Sequence, residues 1–177
     1  MSEETEAGAD AVDFALVAYR EEGAWQVEEL DSGTAADLYD LTFELRRYPG
    51  DAGALGLVSV DEDFFVLVRV LGAQTRLLLS DVSAATQWPL ARLVVDHLEL
   101  PLPDEEDEEP AGDLDIVADL GLGAMDMGAM LDEGDLYPDE LLGDIAARLG
   151  FGRQYDELVG VPTSPVTPSG PVTPAPL

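Results

Sequence analysis

The hydrophobic positions of this chain change period several times, and each change marks an element. In VDFALVAYR (12–20), Phe14, Leu16 and Ala18 alternate against Ala15, Val17 and Tyr19, the two-residue period of a strand. EEGA offers a turn and WQVEELD (25–31) resumes the alternation, so the two segments read as a hairpin. GTAADLYDLTFELRRYPG then shifts to helical period, with Leu38, Leu41, Thr42 and Leu45 on one face. Thr34 and Asp37 are a candidate capping pair, and Arg46 and Arg47 occupy the last turn before Pro49 and Gly50. Three more strands follow, ALGLVSV (54–60), FFVLVRV (64–70) and TRLLLSD (75–81), with connections short enough for a meander. The stretch 64–70 is apolar on both faces, as in a central strand covered by helices. A second helix spans QWPLARLVVDHLEL, where Leu90, Leu93, Val94, His97 and Leu98 recur at i, i+3, i+4, i+7 and i+8.

In the order ββαβββα these elements predict an α+β domain over 12–100, a five-stranded, largely antiparallel sheet with two helices on one face. Residues 1–11 read as a disordered acidic tail. Residues 101–112 hold six consecutive carboxylates, Asp104 to Glu109, among Pro101, Pro103 and Pro110. Like charges repel and proline stiffens, so this run reads as an extended linker, with a docking surface for a basic groove as the alternative. Residues 113–160 read as a small helical C-terminal appendage. Pro138 suits a first helical turn, Asp139 and Glu140 suit its positive end, and Leu141, Leu142, Ile145 and Leu149 form a stripe. Gly150 suits the stop, with Phe151 packing back on the last turn. This helix is expected to set Leu142, Ile145 and Leu149 on the main domain and to leave Tyr137, Phe151 and Tyr155 near the surface as a partner-binding patch. GLGAMDMG reads as a loop or broken helix. Met125, Met127 and Met130 read as fillers between appendage and domain, or as an adaptable binding surface. Residues 161–177, with Thr-Pro repeats, read as disordered and polyproline-like.

Charge changes the picture most. The 177 residues carry 38 Asp and Glu against 8 basic residues, all arginine, for a net charge of -30. Such a surface repels phosphate backbones and anionic lipid, which argues against direct nucleic-acid or membrane binding and for a basic protein partner. With no cysteine, disulfides, thiolate zinc sites and thiol catalysis are excluded. The N-terminal MSEETEAGADAVD has no apolar core of a signal peptide. The longest apolar runs fall far short of the ~20 residues of a membrane span, so a soluble cytoplasmic protein is expected. Nothing in the pattern sets the oligomeric state.

Candidate chemistry is sparse. The single histidine, His97, sits on the apolar side of the second predicted helix, at a core edge rather than in a catalytic constellation. There is no G-x-G-x-x-G, no phosphate-binding loop and no nucleophile paired with a base. DEGD (132–135) and DLD (113–115) lack the spacing of a calcium loop. No catalytic, cofactor-binding or metal-ligating residue is assigned, and no cofactor is implied.

The segment DLYPDELLGDIAARLGFGRQYDELV (135–159), the hairpin FALVAYREEGAWQVEEL and the acidic break between them resemble the actinobacterial family of tRNA adenosine deaminase-associated proteins. The resemblance covers about residues 12–159. It implies association with a tRNA adenosine deaminase and carries over no functional residues. A zinc deaminase needs His-x-Glu and two further Cys ligands. His97-Leu98-Glu99 matches the first half by spacing, and the cysteines are missing. The resemblance therefore points to a non-catalytic accessory or regulatory protein that binds a basic surface, with the deaminase as candidate partner. The alternative is a small-molecule or divalent-metal-binding α+β module of unrelated role.

Overall fold

In the computed structural model, the residues described are 12–48, 53–101, 104, 106, 109–132 and 136–159. They form a sheet of six strands in the order β2-β1-β3-β4-β5-β6, every pair antiparallel. The strands are β1 (Val12–Glu21), β2 (Ala24–Glu29), β3 (Ala54–Val60), β4 (Phe64–Leu71), β5 (Gln74–Leu79) and β6 (Ala111–Gly112). The α+β class and the first five strands agree with the sequence. The sixth strand corrects the expected count of five. It is a two-residue strand just after the acidic run, pairing Ala111 with Leu79 and Gly112 with Leu78. Two residues are too short for any periodic signal.

Helices cover both faces of this sheet. The first layer holds α1 (Ser32–Ala35), α2 (Leu38–Leu45), a 3-10 turn (Val82–Thr86) and α3 (Pro89–His97). It packs on Ala15, Val17, Val58, Phe64, Val66, Val68, Leu77 and Leu79. The second layer holds a 3-10 turn (Ala118–Leu120), α4 (Ala124–Leu131), α5 (Pro138–Leu149) and α6 (Gly152–Val159). It packs on the alternate residues Leu16, Ala18, Leu55, Leu57, Phe65, Leu67 and Leu78. A pleat sends successive side chains to opposite faces, so all of β3 is buried, and all of β4 up to Val70. Residues 113–159, read as an appendage, supply the second layer. GLGAMDMG, read as a loop or broken helix, contributes the start of α4.

The first predicted helix is two helices, each with its own aspartate cap. Asp31 accepts from the Thr34 amide at 3.2 Å, and Asp37 accepts from the amides of Tyr39 and Asp40 at 2.9 and 3.1 Å. These are short Asx caps satisfying amides that helix geometry leaves unpaired, in place of the Thr34–Asp37 pair expected. Pro49 and Gly50, read as its stop, lie outside the described residues.

Candidate functional site

The string that carries the family resemblance builds α5 and its junctions rather than a reactive centre. Pro138 opens the helix, and the Glu140 carboxylate accepts from the Tyr137 amide at 2.9 Å. The helix ends at Gly150 with φ 111°, a left-handed conformation that a side chain resists. There the amides of Gly150 and Phe151 both reach the Ala146 carbonyl, at 3.0 and 2.9 Å. Leu142, Ile145 and Leu149 are buried, as expected.

The three expected patch residues separate. Tyr137 is 59% exposed, but Phe151 and Tyr155 are fully enclosed. Phe151 stacks obliquely on Trp25 of β2, ring centroids 4.8 Å apart. Trp25 in turn donates its indole N–H to the Leu149 carbonyl at 2.9 Å and accepts, on its own carbonyl, from Gln154 at 3.2 Å. Tyr155 lies edge-on to Phe14 and donates its hydroxyl to the Asp139 carbonyl at 2.7 Å. Gly143 leaves room for its ring: a Cβ there would stand 3.2 Å from it, closer than side chains normally pack. Burial pushes the Tyr155 hydroxyl pKa up. The correction has a plain cause. An amphipathic helix beside a sheet face lacking a cover recruits nearby aromatics inward, because each buries a large apolar area.

His97 lies exposed at the end of α3, off the apolar face assigned to it. Met127 and Met130 fill the second core, while Met125 points to solvent. Of the acidic run, Asp104, Glu106 and Glu109 are described and exposed. The Glu109 carbonyl accepts from the Val82 amide at 2.8 Å. The rest of the run lies outside the described residues.

Two arginines fasten the second layer to the sheet. Arg69 of β4 is 3% exposed and donates to both carboxylate oxygens of Asp119, at 2.5 and 2.9 Å, and to the Ile116 carbonyl at 2.9 Å. Arg76 of β5 bridges Asp113 and Asp115 at 2.9 and 2.6 Å. Hydrogen bonding to Arg69 holds the Asp119 carboxyl below its usual range, and the bond to Asp113 raises Arg76 further. A cleft of about 240 Å³ lies between them, lined also by Leu71, Gln74 and Ala118. An anion entering it would compete with three bound carboxylates, and a cation would meet two guanidiniums. Both guanidiniums of the cleft are thus already engaged by its own carboxylates. Among the described residues, no group of three or more His, Asp or Glu could hold a metal ion.

One feature escaped sequence reasoning. Tyr39 and Phe43, one turn apart on α2, are 62% and 70% exposed. Leu38, Leu41 and Leu45 of the same helix are buried. The signal was available, since two aromatics at i, i+4 lay off the face assigned to the core.

Residues 13–152 match the model of the family described as Rv3753c-like tRNA adenosine deaminase-associated protein. Protein Rv3753c of Mycobacterium tuberculosis is 39% identical over 156 residues, covering 85% of this chain and 90% of that one. No solved structure matches the chain. The chain belongs to the Rv3753c-like tRNA adenosine deaminase-associated protein family.

Proposed function

We propose that this protein is a non-catalytic accessory protein that docks on a basic surface of a partner, and that the partner is the tRNA adenosine deaminase named in the family description. The observation that carries this is charge. The net charge is -30, and Arg47, Arg69, Arg76 and Arg148 are already bridged to the chain's own carboxylates. An enzyme that takes tRNA must present positive potential to its phosphates. A polyanionic protein is steered to the same potential and repelled by nucleic acid and anionic lipid. The reading of the chain as non-catalytic is supported by the ligand set of a zinc deaminase, which needs two cysteines beside its His-x-Glu; this sequence has none.

The test is binding of the purified full chain to the purified deaminase of the same organism at low and physiological salt. Affinity should fall steeply as salt rises, because exposed charges are screened beyond ~8 Å at physiological ionic strength. Absence of binding at low salt would sink the reading, as would deaminase activity in the isolated chain. The acidic run serves here as a spacer, so replacing Asp104–Glu109 with Ser and Gly should leave folding and binding in place.

A further inference from the structure

We propose that the outward face of α2 is the anchor of the partner interface, with Tyr39 and Phe43 seated in an apolar depression rimmed by arginine or lysine. The inference rests on the docking function proposed above and names the face that performs it. Both rings stand in solvent while the other side of the same helix is buried on the sheet. Among the described residues, neither ring meets another aromatic ring and neither side chain makes a hydrogen bond. Exposed aromatics are also mediocre helix formers, so the fold gains little from them at these positions. Interfaces, by contrast, draw most of their binding energy from a few aromatic anchors inside a polar rim.

The surrounding charge selects the occupant. Asp31 and Asp37 cap the two short helices, and Asp40 follows Tyr39 in the first turn of α2. The two arginines at the far end of α2 are engaged, Arg47 with Glu44 at 3.1 Å and Arg46 with the Thr75 hydroxyl at 3.4 Å. Aromatic faces and carboxylates both attract guanidinium and ammonium groups. A second copy of this chain would bring another -30 to the contact, and a lipid surface would bring anions. A cationic protein surface satisfies both halves of the face.

The experiment compares the full-length chain with Tyr39→Ala/Phe43→Ala and with Met125→Ala, whose side chain is exposed on α4 in the other layer. The readouts are affinity for the deaminase, its salt dependence, and thermal midpoint. The double variant should keep its midpoint and bind about tenfold or more weaker, chiefly through faster dissociation. The salt dependence should persist, because the surrounding carboxylates remain. Met125→Ala should match wild type. Wild-type binding with a double variant within about twofold would overturn this assignment and leave the docking function standing. Absence of wild-type binding would remove both. A wild-type dimer that the double variant loses would give the face to a second copy, again against the proposal. Should alanine unsettle the helix, Tyr39→Gln/Phe43→Gln keeps helix propensity and is held to the same outcomes.

Discussion

The two helical layers lie against one sheet but are attached to it differently. The first layer is attached by the chain itself. The segments 31–48 and 82–97 run between or directly after strands, so short connections deliver their apolar faces to the sheet, and among the described residues long-range polar bonds to it are few. The second layer arrives only after the acidic run, and specific polar bonds hold it in register. These are Arg69 to Asp119, Arg76 to Asp113 and Asp115, and the Trp25 indole to the Leu149 carbonyl, 124 residues away in sequence. Connectivity can replace specificity when a loop is short, because closing it costs little entropy. A distant segment must be told where to sit, and directional bonds between named partners do that.

The largest effect should come from emptying the second core. Phe151→Ala removes a fully buried ring that touches Trp25, and cavity formation of this kind costs about 3–5 kcal/mol. The two tryptophans make the outcome informative. Trp25 packs against the second layer and Trp88 against the first. If the sheet binds both layers into one cooperative unit, urea unfolding read from the separate 19F resonances of the two tryptophans, in protein labelled with 5-fluorotryptophan, should shift by the same amount at both. A shift at Trp25 with none at Trp88 would show that the second layer unfolds on its own.

How far this arrangement was legible from sequence depends on where the information lies. The alternation of Phe14, Leu16 and Ala18 against Ala15, Val17 and Tyr19 already held two apolar sets, one for each face. The run 64–70, apolar on both sides, likewise called for two covers. The strands and the stop of α5 at Gly150 are local, and periodicity and backbone preference record them. That the segment beyond the acidic run is the second cover is a long-range fact, written in single residues such as Arg69 and Trp25 that have no periodic signature. The same limit explains Tyr155. Its helix can be read from sequence, but its burial is a contact with a different helix, where the ring lies close against Gly143.

A middling effect should follow from loosening a polar anchor. Asp119→Asn leaves the Arg69 guanidinium buried with a weaker acceptor, which costs about 1–3 kcal/mol. The lower end is expected, because the aspartate is more than half exposed and solvent screens the pair. The pH dependence has a definite sign. The Asp119 carboxyl sits below its ordinary value in the folded state. Its contribution is therefore complete above the unfolded pKa, ~3.9, and fades as pH falls through the lower folded value. The gap in stability between wild type and Asp119→Asn should be constant from neutral pH to about 5 and close below about 4. A gap that widens on acidification would show that Arg69 is not the cause. Comparing variants matters because global self-repulsion also relaxes toward the isoelectric point, near 4.1.

The smallest effect should be a gain, placed in the sheet that both layers share. The β3–β4 hairpin turns through Asp61 and Glu62, with φ of 51° and 50°. Two successive left-handed residues make the turn that matches strand twist, and that turn prefers glycine at its second position. The turn is held by Asp13, whose carboxylate accepts from the Glu62 amide at 2.7 Å and from the Ser59 hydroxyl at 3.3 Å. Glu62→Gly keeps that amide and removes the Cβ that resists a positive φ. It also makes the unfolded chain more flexible, which offsets part of the gain. A net stabilisation of about 0.5–1 kcal/mol is expected. Since this turn belongs to neither layer, Trp25 and Trp88 should report the gain equally. A gain confined to Trp88, whose indole donates to Asp63 of the same turn at 3.2 Å, would instead tie the hairpin to the first layer alone and show that the sheet does not couple the two.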